Sequence, residues 1–232
     1  MDAANKKKRA EELEPYLKDH PEVGKKYTFN QNSVDYSSDK LLREYYRGSL
    51  QDYLKHLMYM YDWTKNAEEI LETIKALGVS STLTVLDFGC GPADYGIYFA
   101  EQGHNVVLCD FPEMLKFSMY RLDRRNLKYK TIEVDDNMES SLPKGLDLII
   151  AAEVMEHLRH PFEKLKEMSD CLNPRGFIWY TQFPSENSNM VNDHLKEAQY
   201  SKQDCLDFLK KYFESIPIEE GYLWRKKEVE EE

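Results

Sequence analysis

The chain of 232 residues has no apolar run near the roughly 20 residues that a membrane helix needs. Lys6-Lys7-Lys8-Arg9 stand where a signal peptide would carry its apolar core. The expectation is a soluble, cytoplasmic protein that does not insert into membranes. Cysteine is sparse: Cys90, Cys109, Cys171 and Cys205 form no C-x-x-C pair, and two lie beside strand-like apolar runs, so they read as reduced, mostly buried thiols. Positive charge is short, with 31 Lys and Arg against 42 Asp and Glu, a net charge of -11 and a pI near 5.1. Gripping a phosphate backbone takes clustered Lys and Arg, so nucleic acid is a disfavoured partner. Internal repeats and low-complexity linkers are missing too, and the length suits one sizeable core without a second domain.

What is present falls into two parts, residues 1–80 and 81–232. The first is charged and rich in tyrosine. Glu11, Glu12 and Glu14 follow the basic cluster at helical spacing, which suits a solvated, salt-bridged helix better than a nuclear address. Leu41, Tyr45, Leu50, Leu54, Leu57 and Tyr61 predict a helix from Asp39 to Tyr61, and a second from Asp62 to Leu77 ends at Gly78. From Thr82 onward, strand-length apolar runs alternate with helical stretches, the signature of parallel strands with crossover helices. Strands are predicted at 83–88, 105–109, 129–134, 146–151 and 176–182, and helices near 93–101, 112–123, 160–171 and 201–211. Phe213 to Lys226 holds two short strand candidates around Glu219-Glu220-Gly221, an antiparallel hairpin.

The most informative segment is Thr84-Val85-Leu86-Asp87-Phe88-Gly89-Cys90-Gly91-Pro92-Ala93-Asp94, a strand running into a glycine turn and then a helix. Such a loop, at the carboxyl end of the first strand, floors a nucleotide crevice, because a glycine lets backbone approach a ligand. The next strand candidate ends at Asp110, about 20 residues on, where ribose hydroxyls are held. A dinucleotide fingerprint wants a small residue where Asp94 stands, since a carboxylate there repels pyrophosphate. Asp87 likewise suits the ammonium or sulfonium end of a ligand. The charges favour S-adenosylmethionine over NAD.

Leu86-Asp87-Phe88-Gly89-Cys90-Gly91-Pro92-Ala93 resembles the first motif of the class I S-adenosylmethionine-dependent methyltransferases, with the resemblance extending over about residues 80–226. It implies an α/β, Rossmann-like, seven-stranded, mostly parallel sheet with a terminal antiparallel hairpin, here with an N-terminal helical extension. It also implies that Gly89 and Gly91 line the cofactor, that Asp110 holds the ribose, and that Phe111 and Met114 lie near the adenine. Asp135 or Asp136 would reach the exocyclic amine. The second product would be S-adenosylhomocysteine.

A second constellation, Glu153-Val154-Met155-Glu156-His157-Leu158, follows the fourth strand at the crevice end of the sheet. It is similar to Glu-Val-x-Glu-His in the ubiquinone-biosynthesis branch of that family. A protonated oxygen or nitrogen acceptor benefits from a base, and an imidazole is matched to neutral pH. His157 is the candidate base, with Glu153 as its orienting partner or a cofactor-loop residue. The alternative is that Glu156 and His157 only cap a short helix. Glu153, Glu156, His157 and His194 also resemble the metal set of small-RNA 3′-terminal ribose 2′-O-methyltransferases, though no basic stretch accompanies them to grip RNA. Tyr27, Phe29, Tyr36, Tyr45, Tyr46, Tyr53, Tyr59 and Tyr61 offer a lid, of which Tyr27 and Tyr36 fall outside the predicted helix; those at helical spacing are expected to pack on the sheet. Phe183 to His194 is the other expected wall. Transfer of a methyl group to an oxygen, nitrogen or carbon of a small-molecule acceptor is the leading expectation; the metal-dependent RNA enzyme and a non-catalytic cofactor-binding subunit are the alternatives.

Overall fold

Successive side chains of a strand point to opposite faces, and the central strands here are apolar on both, as strands covered by helices on each side must be. In the computed structural model, which describes residues 3–24, 26, 37–135, 139–181, 195–219 and 221–228, seven strands form one sheet. They are β1 (Thr84–Phe88), β2 (Asn105–Asp110), β3 (Lys130–Glu133), β4 (Leu146–Ala151), β5 (Leu172–Tyr180), β6 (Phe213–Ile218) and β7 (Gly221–Lys226), in the order β3-β2-β1-β4-β5-β7-β6. The first five pair in parallel; β7 runs antiparallel to β5 and to β6. The predicted hairpin is therefore in place, and the seven-stranded, mostly parallel fold class stands.

The helices are α1 (Ala3–Asp19), α2 (Asp39–Met60), α3 (Thr64–Ala76), α4 (Asp94–Glu101), α5 (Pro112–Asp123), α6 (Pro161–Cys171), α7 (Lys196–Tyr200) and α8 (Lys202–Tyr212). Leu86, Val107, Ile149 and Ile178 project into one apolar cluster with residues of α2, α6 and α8. Their strand neighbours Val85, Val106, Leu148 and Phe177 project into the other, with residues of α3, α4 and α5. All four cysteines are unbridged and buried, as expected. Strand β5 begins four residues ahead of its predicted start, because the chain leaves α6 directly into pairing with Leu146 and shifts register before Leu148. Among the described residues no helix is long and apolar enough to cross a membrane.

The N-terminal helices belong to this core. Ser38 opens α2, its hydroxyl accepting from Leu41 N at 3.3 Å, the usual N-cap arrangement. Leu13 and Tyr16 of α1 pack with Leu50, Leu54 and Met58 of α2 and with Met114 and Phe117 of α5. The reading of α1 as a solvated charged helix needs correction. Lys7 and Glu11 do pair across one turn at 4.0 Å on its outer face, but Arg9 and Glu12 are buried. Arg9 binds Asp94 at 2.8 Å, Arg121 binds Asp94 at 2.7 Å and Glu12 at 2.8 Å, and Arg125 also pairs with Glu12. Charges on α1 thus match charges on α4 and α5, which spacing along α1 alone does not reveal.

Candidate functional site

The end of β1 becomes a cradle because its loop hangs from the end of β2. Gly89 N and Cys90 N both donate to Cys109 O, at 2.8 and 3.1 Å. Gly91 N donates to the Asp110 carboxylate at 2.8 Å, and Phe111 N to its other oxygen at 2.7 Å. Gly89 and Gly91 take φ of +64° and +50°, and Ala93 follows at +60° just before α4. A Cβ at Gly89 would stand 2.5 Å from Val154 Cγ2, so this turn needs glycine both for its φ and for the closeness of the β4 loop.

Above the cradle is a cleft at the carboxyl edge of the sheet. Phe88 and Gly89 line its floor, Asp110, Phe111, Met114 and Val134 one side, and Glu153, Val154, His157 and Leu158 the opposite side. The sequence-predicted residues Gly89, Asp110, Phe111, Met114, Glu153 and His157 are therefore brought together. Helix α2 supplies the remaining wall with Arg43, Tyr46, Arg47, Leu50 and Tyr53. These recur at i, i+3, i+4, i+7 and i+10, a second stripe beside the core stripe read from the sequence. Tyr45 packs in the core as expected, whereas Tyr46 and Tyr53 face the cleft. Arg43 lies over the Phe111 ring, 4.0 Å from its centroid, and pairs with Glu113, which Arg47 also holds at 2.8 Å.

Two expected roles are corrected. Asp87 does not line the cleft: strand alternation turns it to the α4 face, where its carboxylate accepts from Gly96 N at 2.9 Å. Burial pushes its carboxyl well above the ordinary value, with Asp94 and Asp110 adding to the rise against the Gly96 bond. Asp94 is equally buried; that burial would raise it, but Arg121 and Arg9 outweigh the effect and hold it below the usual range. Its charge is neutralised from behind, so it does not act as the expected repellent of pyrophosphate. Gly91 braces the site through its bond to Asp110.

Asp110 lines the cleft. Burial pushes its carboxyl up to about 6, against the lowering effect of the Gly91 and Phe111 amides and Arg43. Both oxygens already accept one backbone N–H each, and each has a second lone pair for a ligand hydroxyl. A carboxylate set beside a glycine backbone with no side chain in the way fits a ribose, and Phe111, Met114 and Val134 offer the apolar surface that a purine needs. The cleft accommodates the adenosyl group in donor chemistry.

His157 closes a one-turn 3-10 helix, Met155–His157, and its Nδ1 lies 3.1 Å from the Tyr46 hydroxyl. Tyr46 is thus a described partner of its Nδ1, one that the motif does not point to. Glu153 is exposed, held at φ +49° with its N donating to Thr181 Oγ1 at 2.7 Å. A non-glycine residue in that region is strained by about 1–3 kcal/mol, and such strain clusters at functional sites. Glu156 is buried, its carbonyl accepting from Leu195 N at 2.9 Å, and no side chain caps the short helix. Asp135 is exposed and its carboxylate accepts from Glu139 N at 2.9 Å. Asp136, Tyr27, Phe29, Tyr36 and the wall Phe183 to His194 lie outside the described residues. Among the described residues no group of three or more His, Cys, Asp or Glu side chains is placed to hold a metal ion, so Glu153, Glu156 and His157 do not converge as one.

The profile of the methyltransferase domain matches residues 51–212, which is more than half of the chain and includes both the cradle and the His157 turn. The chain belongs to the methyltransferase-domain family, and it shares the fold of an N-methyltransferase from Bradyrhizobium japonicum solved with S-adenosylhomocysteine, with a TM-score of 0.50 at 14% identity, covering 71% of this chain and 88% of that one. The tRNA 5-carboxymethoxyuridine methyltransferase of Escherichia coli is 32% identical over 106 residues, covering 41% of this chain and 38% of that protein. A thiol S-methyltransferase of Rattus norvegicus is 28% identical over 125 residues, covering 51% and 50%. The chain thus matches half or less of these relatives' lengths. Among solved structures, an O-methyltransferase family protein from Burkholderia thailandensis shares the fold with a TM-score of 0.57 at 11% identity, covering 97% of this chain and 71% of that one. The matched residues 51–212 include the glycine turn, Asp110 and the His157 turn, together with the second half of α2, which walls the cleft.

Proposed function

We propose that this methyltransferase uses S-adenosylmethionine to methylate an oxygen, nitrogen or carbon atom of a small molecule and releases S-adenosylhomocysteine. The observation that carries the reading is the Asp110 carboxylate tied to Gly91 N and Phe111 N at the edge of an open cleft. When bound, the cofactor supplies a methyl carbon attached to a cationic sulfur that departs as a neutral thioether. Asp110 holds the ribose hydroxyls, Phe111 and Met114 flank the purine, and either Asp135 or Asp136 takes its amine. Glu153 stands at the sulfonium side, and His157 receives the acceptor's proton. Holding the acceptor close and excluding water does most of the work in such a displacement. Residues 81–232 form the catalytic domain in this reading, and residues 1–80 its helical extension, which walls the cleft through α2.

The acidic charge and a cleft rimmed by Tyr46 and Tyr53 support a small, partly apolar acceptor. The relatives widen the set to be tested, since one acts on a tRNA nucleoside and the other on thiols. Calorimetric titration with S-adenosylhomocysteine is the first experiment; no saturable binding at millimolar ligand overturns the assignment. Methyl-labelled cofactor is then offered with 2-mercaptoethanol, 5-carboxymethoxyuridine, total tRNA and a metabolite extract. Label in a small-molecule fraction is expected. Label confined to tRNA overturns the small-molecule reading, and bound cofactor with no transfer at all favours a non-catalytic subunit.

A further inference from the structure

Tyr46 counts above only among the lid tyrosines and the cleft rim, yet its position is tightly constrained. Its ring is 6% exposed and packs against Tyr53 at 5.6 Å, Tyr45 at 5.7 Å and Phe111 at 5.9 Å between centroids. Contacts on several sides lock the rotamer. The hydroxyl therefore has a fixed place, 3.1 Å from His157 Nδ1, with the two rings edge to face at 90° and 6.1 Å. The imidazole is fixed from its own side as well, because it sits on the Met155–His157 turn, whose Glu156 carbonyl is bonded to Leu195 N.

We propose that Tyr46 is the positioning residue of His157. The proposal rests on the reading of His157 as the base given above. A neutral imidazole carries its one proton on either nitrogen, and the hydrogen bond made by one nitrogen decides which. The 3.1 Å contact admits either direction; in the proposed one Nδ1–H donates to the Tyr46 oxygen, which puts the lone pair on Nε2 and proton exchange with an acceptor there. In the reaction an acceptor X–H gives its proton to Nε2 while its electron pair forms the X–CH3 bond; the C–S bond breaks and its pair stays on sulfur. The imidazolium that results donates a stronger, charge-assisted bond to the Tyr46 oxygen. The opposite arrangement, Tyr46 O–H donating to Nδ1, would leave a proton on Nε2 and no base. Glu153 lines the same cleft, exposed, and its described hydrogen bond is made by its backbone N to Thr181.

The test uses the full-length protein and the variants Tyr46→Phe and His157→Gln. Tyr46→Phe keeps the ring packing and removes only the hydroxyl. Nitrogen-15 spectra of labelled histidine, with the His157 signal identified by its loss in H157Q, are expected to report mainly the Nδ1–H tautomer in the wild type and a shift toward Nε2–H in Y46F. Binding of S-adenosylhomocysteine is expected to stay within about twofold. Methyl transfer to 2-mercaptoethanol near pH 7 is expected to fall about tenfold, part of the roughly 10²–10⁴ that a positioned base contributes. Near pH 9.5 a large share of the thiol arrives already ionised and the loss is expected to shrink, which damage to packing would not do. An unchanged tautomer ratio, or a rate loss equal at both pH values, overturns the role of Tyr46. Wild-type rate in H157Q near pH 7 instead overturns His157 as the base. The tautomer measurement needs no acceptor, so it decides the Tyr46 contact even where this thiol is not taken.

Discussion

Asp110 is buried, and its carboxyl titrates near 6 while it braces the glycine loop. Ribose hydroxyls bond best to the ionised form. The proton it gains as pH falls through 6 must therefore leave before ligand binds, and affinity for S-adenosylhomocysteine is expected to weaken about tenfold per unit below pH 6. Titration calorimetry at pH 7.5, 6 and 5 checks this, and Asp110→Asn should bind weakly with no such trend. The two glycines separate conformation from contact. Gly91→Ala meets only Leu57 Cδ1 at 3.4 Å and carries mainly the cost of positive φ, about 1 kcal/mol. Gly89→Ala must also displace Val154, adding about 1–3 kcal/mol. At roughly 2–4 °C per kcal/mol for a domain of this size, thermal melts should rank wild type, then G91A, then G89A. Gly89, Gly91 and Asp110 were legible because the chemistry of a turn is local. Asp87 and Asp94 were misread for the opposite reason: their charges acquire meaning from an amide on the next helix and from arginines 85 and 27 positions away.

Helix α1 is held to the cofactor end of the sheet by charge as well as by Leu13 and Tyr16. Arg121 is fully buried between Asp94 and Glu12, and it also donates to Pro92 O within the glycine turn. Arg121→Met leaves two carboxylates without their shared partner, a class of change that costs about 3–5 kcal/mol. The melting midpoint at pH 7 should fall by about 6–20 °C. In the wild type, burial works to raise both carboxyls, but the arginines hold them below their ordinary values. Their contribution is therefore complete above the unfolded carboxyl range near pH 4 and is lost as pH falls through the lower folded values. In R121M the stranded carboxylates are relieved by protonation, so the gap between the two proteins should narrow from pH 5 to pH 3; a gap that stays constant would assign the loss to packing. None of this was visible in Lys6 to Glu14, where a buried arginine and a solvated one occupy the same helical pattern. Helix α2 was half legible. Its core stripe is apolar and shows as periodicity, while the cleft stripe mixes Arg43, Tyr46, Arg47, Leu50 and Tyr53 and shows none.

Across the whole molecule the parallel strands and the closing hairpin were legible from alternating apolar runs and a Glu-Glu-Gly turn, whereas the order β3-β2-β1-β4-β5-β7-β6 was not, because it depends on where each crossover returns the chain. The acceptor is not displayed, since its walls are side chains that meet only after α2 crosses the sheet edge. Ligand binding is a property of the entire fold, so S-adenosylhomocysteine at about 100 times its dissociation constant should add about 2.7 kcal/mol and raise the melting midpoint by about 5–11 °C. The four buried thiols turn this linkage into a clock. A maleimide cannot reach them in the closed molecule, so alkylation counts openings. Cys90 lies inside the glycine turn, its Sγ 3.8 Å from Ser118 Oγ, and reports the cradle itself. Any opening that breaks the cradle also loses the ligand, so cofactor product should slow the labelling of Cys90 by about the factor by which it stabilises the fold.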